Sequence, residues 1–371
     1  MNQDMKRVRV LVVDDSALMR KVIPQMLEAD SSIEVVGTAM DGNFCLKKIE
    51  ELHPDVVTLD LQMPGMNGID TLKEIMRRRP IPVIVVSSHS TEGASVTLKA
   101  LALGAFDFVA KPRDAMGHMV ESARELIAKI KAAAEGKIVR PKAFSGMLAP
   151  IEKLSATKSV PKPTKLVAIG ISTGGPQALE FLLAQLPPDF PGTIAIVQHM
   201  PENFTEMFAR RLDELCSLRV KEAQSGDQLQ AGRVLICPGN RHMKVRRIPM
   251  GDVVVLNDDV RVNGHRPSVD VLFHSVAQEF GSQAIAALMT GMGDDGAEGL
   301  GAIKKAGGIT IAQSEESCVV YGMPKAAIER GYATRVIALD VLAATLQALC
   351  TRSERPDDKD RGFGKALRAG F

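Results

Sequence analysis

Aromatic residues are scarce in this chain of 371 residues, which contains no Trp, 2 Tyr and 12 Phe. Proteins that stack single-stranded nucleic acid on exposed rings need more of them, so we expect no nucleic-acid partner of that kind. An excess of one charge is also missing, because 46 Lys and Arg stand against 44 Asp and Glu. The resulting net charge of +2 gives no indication of nucleic-acid or membrane binding.

Cysteines are few, odd in number and widely spaced. The five positions are Cys45, Cys216, Cys237, Cys318 and Cys350. A disulfide framework or a zinc cluster is therefore disfavoured, and a reducing compartment is favoured. No apolar run reaches the roughly 18 residues that a membrane span needs, and the N-terminus lacks a signal-peptide pattern. We expect a cytoplasmic protein with no direct membrane insertion.

Strand-like and helical segments alternate along the first third of the chain. Five apolar runs, from Val8–Val13 to Ala105–Val109, each precede a segment with helical periodicity. Runs that are apolar throughout indicate parallel strands covered by helices on both faces. The pattern predicts a flavodoxin-like α/β domain with a five-stranded parallel sheet at residues 1–136.

The composition changes at residues 137–164, which are rich in Pro and in basic residues and therefore predict an extended linker. Alternation then resumes and predicts a second, doubly wound α/β domain at residues 165–350. Short Val-rich runs with Gly, Asn and Asp turns at about 219–262 are typical of β-hairpins, so we expect a β-hairpin addition to that domain. The charged residues 351–371 are interpreted as a flexible tail.

Reactive side chains follow four of the predicted strands of the first domain. Asp14 and Asp15 end the first strand, Asp60 the third, Ser87 the fourth and Lys111 the fifth. Because the carboxyl ends of parallel strands meet at one edge of the sheet, these side chains should converge. Three clustered carboxylates favour Mg²⁺ or Mn²⁺, and a nearby lysine and hydroxyl suit a phosphoryl group. The pattern therefore indicates Asp60 as a nucleophile toward phosphate.

The same segment closely resembles a two-component receiver domain over about residues 6–130. The motifs that carry the resemblance are Val12-Val13-Asp14-Asp15-Ser16, Leu59-Asp60-Leu61-Gln62-Met63-Pro64-Gly65-Met66-Asn67-Gly68, Ser87-Ser88 and Lys111-Pro112. The resemblance implies phosphorylation of Asp60, with Mg²⁺ held by Asp14, Asp15 and Asp60. It also implies that Ser87, Phe108 and Lys111 form the switch that responds to phosphorylation.

A strand-to-helix turn in the second half carries a reactive serine. Gly170-x-Ser172-x-Gly174 matches the G-x-S-x-G of a nucleophile elbow, with a buried strand before it and a helix after it. Backbone N–H groups after Ser172 would then point at an oxyanion. The motif is short, so a serine-containing turn without a catalytic role is the simpler interpretation when the motif is taken by itself.

A base and an acid are available at the same predicted edge. His199 directly follows the strand Thr193–Gln198, and its position favours it as the base for Ser172. The competing histidines of this half are His242, His265 and His274. After a later strand, Asp294 and Asp295 supply carboxylates, and either of them would orient the imidazole. The chain order Ser, His, Asp differs from that of the α/β-hydrolases and disfavours that family.

Two other interpretations stay open at this point. Gly291-x-Gly293-x-x-Gly296 is a formal dinucleotide-binding motif, and Glu315 lies about 20 residues further on, as a ribose-binding acid would. Asp294 and Asp295 would repel a pyrophosphate there, which disfavours this alternative. The second alternative is a response regulator with a non-catalytic binding output, although no helix-turn-helix pattern or basic face indicates DNA binding.

Residues 165–350 also resemble the catalytic domain of the chemotaxis protein-glutamate methylesterases, the CheB family. The carrying motifs are Gly170-Ile171-Ser172-Thr173-Gly174-Gly175-Pro176, Gln198-His199-Met200-Pro201, His265-Arg266-Pro267-Ser268-Val269-Asp270-Val271-Leu272-Phe273, Thr290-Gly291-Met292-Gly293-Asp294-Asp295-Gly296 and Cys318-Val319-Val320-Tyr321-Gly322-Met323-Pro324.

The resemblance implies hydrolysis of glutamate γ-methyl esters on methyl-accepting chemotaxis receptors, and deamidation of receptor glutamines, in chemotactic adaptation. It implies a triad of Ser172, His199 and Asp295, with oxyanion donors on the backbone of Thr173 and Met292 and no cofactor for the esterase reaction. A chemotaxis histidine kinase would be the phosphodonor, and phosphorylation would relieve a block of the catalytic cleft by the receiver domain.

Overall fold

The computed structural model of this protein describes residues 7–88, 90–111, 116–135 and 163–351. Within the helix at 116–135, the side chains of residues 116–119 and 121 are also outside the description. The predicted linker at 137–164 and the predicted tail at 351–371 lie outside the described residues, except for residues 163, 164 and 351. The predicted domain limits therefore stay predictions.

The N-terminal part alternates five strands with five helices. The strands are β1 (Val8–Val13), β2 (Ile33–Ala39), β3 (Val56–Leu59), β4 (Val83–Ser87) and β5 (Asp107–Ala110). The helices are α1 (Met19–Leu27), α2 (Gly42–Leu52), α3 (Gly68–Arg78), α4 (Thr91–Ala102) and α5 (Met116–Glu135). All pairs are parallel, in the order β2-β1-β3-β4-β5, which confirms the predicted five-stranded parallel sheet.

Nine further strands lie within the described residues 163–351. They are β6 (Leu166–Ile171), β7 (Thr193–Gln198), β8 (Arg219–Glu222), β9 (Arg233–Ile236), β10 (His242–Ile248), β11 (Gly251–Asn257), β12 (Ala284–Leu288), β13 (Ile309–Gln313) and β14 (Arg335–Ile337). The helices are α6 (Gly175–Leu183), α7 (Phe204–Leu215), α8 (Val269–Phe280), α9 (Ala297–Lys305), α10 (Met323–Glu329) and α11 (Leu339–Thr351). Seven strands form one parallel sheet in the order β14-β13-β12-β6-β7-β9-β8.

The predicted β-hairpin addition is confirmed, and it is smaller than the turn pattern suggested. β10 and β11 pair antiparallel as a separate two-stranded sheet that packs on α8. The preceding strands β8 and β9, which the pattern also assigned to hairpins, pair parallel at the edge of the main sheet. Turn residues mark where a strand ends, but they do not determine which neighbour the next strand joins.

Strand order decides where the reactive residues meet. Because β6 lies between β12 and β7, the residues that follow these three strands emerge side by side at one edge of the C-terminal sheet. In the N-terminal sheet, β1, β3, β4 and β5 are consecutive neighbours, so the residues at their carboxyl ends also share one edge.

One apolar cluster extends from the N-terminal domain into the C-terminal domain. Leu98 and Leu101 of α4 belong to the same buried cluster as Phe204 and Phe208 of α7. α4 also packs against α6 and α7. The two domains therefore share a desolvated apolar contact at the carboxyl-end side of the C-terminal sheet, which contributes to the free energy of their association.

Candidate active site and phosphorylation site

Four of the sequence-predicted residues meet at the edge of the N-terminal sheet. Carboxylate oxygens of Asp14, Asp15 and Asp60 lie within 4.8 Å of one another. Lys111 Nζ lies 2.9 Å from Asp14 Oδ2 and 2.9 Å from Asp60 Oδ2. Burial raises the pKa of Asp60 above its ordinary value, although the hydrogen bond from Lys111 opposes that change. The pocket therefore concentrates negative charge, which Lys111 offsets only in part.

The backbone around Asp60 is closely packed. The Gln62 N–H donates to Asp60 Oδ1 at 3.1 Å, which orients that carboxylate. A Cβ on Gly68 would overlap the Asp60 carbonyl oxygen and the Leu61 Cα, so a residue without a side chain is needed where α3 begins. Gly68 therefore allows α3 to begin in close contact with the backbone of Asp60.

Ser87 and Phe108 lie on the side of the N-terminal domain that faces the C-terminal domain. The Thr97 hydroxyl of α4 lies 2.7 Å from Ser87 Oγ, and Ser87 donates to the Gly93 carbonyl at 3.3 Å. The Ser87 hydroxyl is thus bonded to α4, and no hydrogen bond joins it to the Lys111 or Asp60 side chain within the described residues, although the Lys111 N–H donates to the Ser87 carbonyl at 2.7 Å. The ring of Phe108 is 3 % exposed and stacks on Phe204 of the other domain. Two of the three side chains of the predicted switch, Ser87 and Phe108, therefore contact groups outside the aspartate pocket, whereas Lys111 lies within it.

The peptide of Phe108 is bound on both sides by buried charged groups. Its N–H donates to Asp107 Oδ1 at 2.7 Å, and its carbonyl accepts a hydrogen bond from Lys129 Nζ at 2.6 Å. Lys129 also pairs with Asp107 at 3.4 Å and with Glu125 at 2.8 Å. These contacts tie β5 to α5 behind the aromatic ring.

Ser172 occupies a sharp turn between β6 and α6. Its N–H donates to the Thr290 carbonyl at 3.0 Å, which joins the serine turn to the loop after β12. Gly174 has φ of +73°, and a Cβ there would overlap the Val319 side chain. The turn thus exposes Ser172 in part while the following residues are buried.

His199 and Asp295 form a direct pair at this edge. His199 Nε2 lies 2.8 Å from Asp295 Oδ2, and the two side chains are 9 % and 1 % exposed. His199 Nδ1 is buried and has no hydrogen-bond partner among the residues that the structure describes. Within the same ranges no hydrogen bond joins the Ser172 hydroxyl to the imidazole. The His199 N–H donates to the Ile171 carbonyl at 3.1 Å, so the backbone of the histidine is bonded next to Ser172.

The structure distinguishes the two neighbouring aspartates that the sequence left open. Asp295 Oδ1 accepts hydrogen bonds from Ser268 Oγ at 2.7 Å and from Asn263 Nδ2 at 3.0 Å, while Oδ2 accepts one from the Val269 N–H at 2.7 Å. Burial alone would raise its pKa, but these bonds and His199 outweigh burial and hold the pKa well below its usual range. Asp294 is exposed and pairs with Arg330 at 2.6 Å.

Two backbone N–H groups are open beside Ser172. Those of Thr173 and Met292 donate to no acceptor in the part of the chain that the structure describes, whereas the Gly291 N–H is taken by the Val320 carbonyl at 3.0 Å. A Cβ on Gly291 would come within 2.8 Å of the Ser172 Cβ, so the loop that carries Met292 runs against the serine. The predicted oxyanion donors therefore lie on two segments next to Ser172, and their role stays a prediction.

The competing histidines have other surroundings. His242 is buried, with Nε2 3.1 Å from the Val260 carbonyl and Nδ1 accepting from the Ser268 N–H at 3.2 Å. His274 is exposed on α8. His265 lies directly on His199, with ring centroids 3.9 Å apart and planes inclined by 6°. Sequence position favours His199 over His242 and His274 as the base. It does not predict that His265 packs against His199.

No role was predicted from the sequence for three further polar residues of the site. Gln198 is 2 % exposed and its Nε2 donates to the carbonyls of Ser172 at 3.0 Å and His199 at 3.1 Å. A polar residue that ends an otherwise apolar strand was the available signal for Gln198. Asn263 and Ser268 gave no comparable signal, because they reach Asp295 from a distant loop.

The alternative of a dinucleotide site at the glycines after β12 is disfavoured by the contacts there. Asp270 Oδ1 accepts a hydrogen bond from the Gly299 N–H at 2.7 Å, in the first turn of α9. A carboxylate therefore already occupies the helix N-terminus where a pyrophosphate would bind. Asp295, which lies within the glycine motif, already forms a hydrogen bond with His199.

The fold and its two sites define the class of this protein. A flavodoxin-like domain with an aspartate pocket is the arrangement of a response regulator. The C-terminal sheet, with a serine, a histidine and an aspartate after neighbouring strands, has the arrangement of a serine hydrolase. None of the helices in the described ranges is both long and apolar enough to cross a bilayer.

Comparisons with known proteins identify the family. The response regulator receiver domain matches residues 10–124, and CheB methylesterase matches residues 167–346. A protein-glutamate methylesterase/protein-glutamine glutaminase of Koribacter versatilis is 62 % identical over 90 % of this chain and 94 % of its own. One of Halalkalibacterium halodurans is 46 % identical over 93 % and 99 %. This chain belongs to the protein-glutamate methylesterase/protein-glutamine glutaminase family.

A solved structure is also similar to the C-terminal part. The crystal structure of the Thermotoga maritima CheB methylesterase catalytic domain is 41 % identical and covers 50 % of this chain and 98 % of that chain, with a TM-score of 0.49.

Proposed function

We propose that this protein hydrolyses glutamate γ-methyl esters of chemoreceptors through Ser172, and deamidates receptor glutamines at the same site. The observation that carries the proposal is the 2.8 Å pair of His199 Nε2 and Asp295 beside Ser172, with His199 Nδ1 free to take a proton. The names of the relatives supply the substrate class.

The reaction begins with attack of the Ser172 oxygen on the ester carbonyl while His199 Nδ1 takes the hydroxyl proton. Hydrogen bonds between serine and base often form only when substrate is bound, so their absence in the free enzyme is compatible with this step. Asp295 accepts the Nε2–H bond and stabilises the imidazolium. The N–H groups of Thr173 and Met292 bind the oxyanion, each contributing roughly 3 kcal/mol.

Collapse of the tetrahedral intermediate breaks the bond to the methoxy group, and His199 returns its proton to release methanol. Water then attacks the acyl-enzyme, again with His199 as base, and regenerates Ser172 and a free glutamate carboxylate. A glutamine side chain offers the same carbonyl with ammonia as the leaving group. Both reactions therefore use one set of residues, and neither needs a cofactor.

In the receiver domain, Asp60 is the proposed phosphoacceptor and a chemotaxis histidine kinase the proposed phosphodonor. The all-oxygen donor set of Asp14, Asp15 and Asp60 suits Mg²⁺, and their mutual distance of no more than 4.8 Å fits a single ion. When bound, Mg²⁺ neutralises the charge of the phosphoryl oxygens. Lys111, which pairs with Asp14 and Asp60, supplies a further positive charge at the same place.

Phosphorylation is proposed to control access to Ser172 through the domain contact. A phosphoryl group on Asp60 would draw Ser87 away from Thr97 and Gly93, and the vacated space would admit Phe108. Phe108 would then leave Phe204, so the contact between the domains would weaken. A few kcal/mol of differential stability suffices to shift such an equilibrium. All five cysteines are buried thiols, which supports action in the cytoplasm.

The test is methanol release from methylated receptor membranes, measured with and without a small phosphodonor. Ser172→Ala is expected to release no methanol while its melting temperature stays close to that of wild type. Ser282→Ala, on an exposed turn, is the matched control and should keep full activity. Methanol release by Ser172→Ala at the wild-type rate would instead favour a response regulator whose output is binding.

A further inference from the structure

A short loop next to the catalytic pair contacts both of its members. This loop, Val262–Ser268, is closed by backbone hydrogen bonds between Val262 and His265 of 3.1 and 2.9 Å. Asn263 adopts φ of +54°, which Asn tolerates better than most residues. From this loop Asn263 and Ser268 bind Asp295, so the acid of the pair is oriented from one loop.

The same loop places a second imidazole on the base. The His265 ring lies parallel to the His199 ring, with centroids 3.9 Å apart and an interplanar angle of 6°. Asp295 binds only Nε2 of His199, and one hydrogen bond leaves the ring free to rock about that atom. Because the χ2 torsion of histidine has a broad, shallow preference, packing on the ring face is needed to define its plane.

We propose that His265 is a positioning residue for ester hydrolysis: its stacked ring keeps the His199 imidazole in the plane in which Nε2 donates to Asp295 and Nδ1 is left available for the Ser172 proton. This inference rests on the proposed function of the serine site. It adds a fourth side chain to the apparatus and makes the loop Val262–Ser268 a single support for both base and acid.

The stacking geometry suits the transition state of the proposed reaction, in which the His199 ring becomes an imidazolium. Neutral aromatic pairs prefer offset or edge-to-face arrangements with centroids about 4.5–7 Å apart, so two neutral rings gain little from a closer parallel stack. A cation over a π face is attracted by the ring quadrupole. His199 carries positive charge only after it has taken the Ser172 proton, so the contact is strongest near the transition state, where it accelerates the reaction.

His265 itself stays neutral, so that it does not repel the imidazolium. Burial, followed by the proximity of His199, lowers the pKa of His265 to about 4. Arg261 acts in the same direction, while Asp295 and Glu125 act against it. Because the His265 ring is neutral at physiological pH, it stacks on His199 without electrostatic repulsion of the imidazolium.

The test compares His265→Ala with His265→Phe in the full chain, with His274→Ala on the exposed face of α8 as the control. His265→Ala is expected to lower kcat for methanol release by about 10- to 100-fold with KM unchanged, as expected for a misplaced catalytic group. His265→Phe keeps a flat ring and should recover most of that loss. Equal losses in both variants would overturn the proposal, since they would mean that an imidazole nitrogen and not the ring face is required.

A second readout does not depend on turnover. The proton of the His199–Asp295 hydrogen bond should give a low-field ¹H NMR signal that is lost in a His199→Ala variant and retained in Ser172→Ala. We expect that signal to survive in His265→Phe and to broaden severely in His265→Ala. A signal that stays sharp in His265→Ala would refute the positioning role even if Ser172 proves not to be the nucleophile, so the two failures are distinguishable.

Discussion

The ring of Phe108 lies 4.8 Å from the ring of Phe204, and the two planes are inclined by only 12°. Phe108 belongs to the strand that ends next to the phosphorylation pocket, whereas Phe204 begins α7, a few residues after His199. Beside them, Gln177 Nε2 donates to the Ala105 carbonyl at 3.1 Å. The aromatic residue of the proposed switch is therefore part of the contact between the domains.

Phe108→Leu is expected to raise methanol release by the unphosphorylated enzyme. The leucine preserves apolar burial but loses the aromatic pair, which is worth about 0.5–1.5 kcal/mol beyond area burial. The rate without phosphodonor should therefore rise about 2- to 10-fold. Phe190→Leu is the control, because Phe190 is as deeply buried but forms no aromatic ring pair with Phe108 among the described residues. An unchanged basal rate in Phe108→Leu would show that this contact does not restrain the enzyme.

Asp295→Asn is expected to reduce kcat by about 10⁴-fold, because an amide does not select the productive imidazole tautomer or stabilise its charged form. Asp294→Asn differs by the same atoms one position earlier, where the carboxylate is exposed and pairs with Arg330. It should retain nearly full activity, since an exposed ion pair contributes little. Steady-state methanol release by the two variants decides the assignment, and comparable losses in both would contradict it.

Chelation of divalent cations is expected to remove activation without removing catalysis. EDTA should abolish the increase in methanol release caused by a small phosphodonor, because Asp14, Asp15 and Asp60 would repel the phosphoryl group without a cation. The basal rate should not change, since the esterase residues include no metal ligand. Asp60→Asn with Mg²⁺ present should behave like the chelated wild type. Activation that persists in EDTA would exclude a metal-dependent pocket.

Acidification should destabilise the wild-type chain more than His265→Phe. The pKa of His265 is lowered from 6.5 to about 4, so below pH 6.5 the unfolded chain binds a proton that the folded chain refuses. This contribution to stability is complete above pH 6.5 and is lost progressively as the pH falls to about 4. Urea unfolding at pH 7.5, 6 and 4.5 measures the difference, with His274→Ala as the reference. Parallel pH profiles for wild type and His265→Phe would refute the burial of a neutral imidazole.

Much of the fold follows from local patterns. The bounds of β1, β6, β7 and β13 agree with the apolar runs in the sequence, because a strand buried on both faces must be apolar throughout. The local patterns did not predict the edge strand β14 or the parallel pairing of β8 with β9. An exposed or short strand contains few apolar residues, so its pattern is weak.

The residues of the two sites also differ in whether the sequence predicted their roles. Ser172, His199 and Asp60 were accessible from sequence because each directly follows a buried strand, and strand ends of parallel sheets converge. No role was predicted for Gln198, Asn263 and Ser268, because their roles depend on hydrogen bonds that only the folded loops create.

The amino-acid sequence by itself determined two α/β domains and the strand ends at which reactive groups gather, because hydrophobic periodicity is a local pattern that extends over a few residues. Only the tertiary structure decided that Asp295 and not Asp294 pairs with His199, that His265 stacks on that ring, and that Phe108 meets Phe204. Those choices depend on the direction of side chains brought together from distant segments, and packing and desolvation determine that direction once the chain has folded.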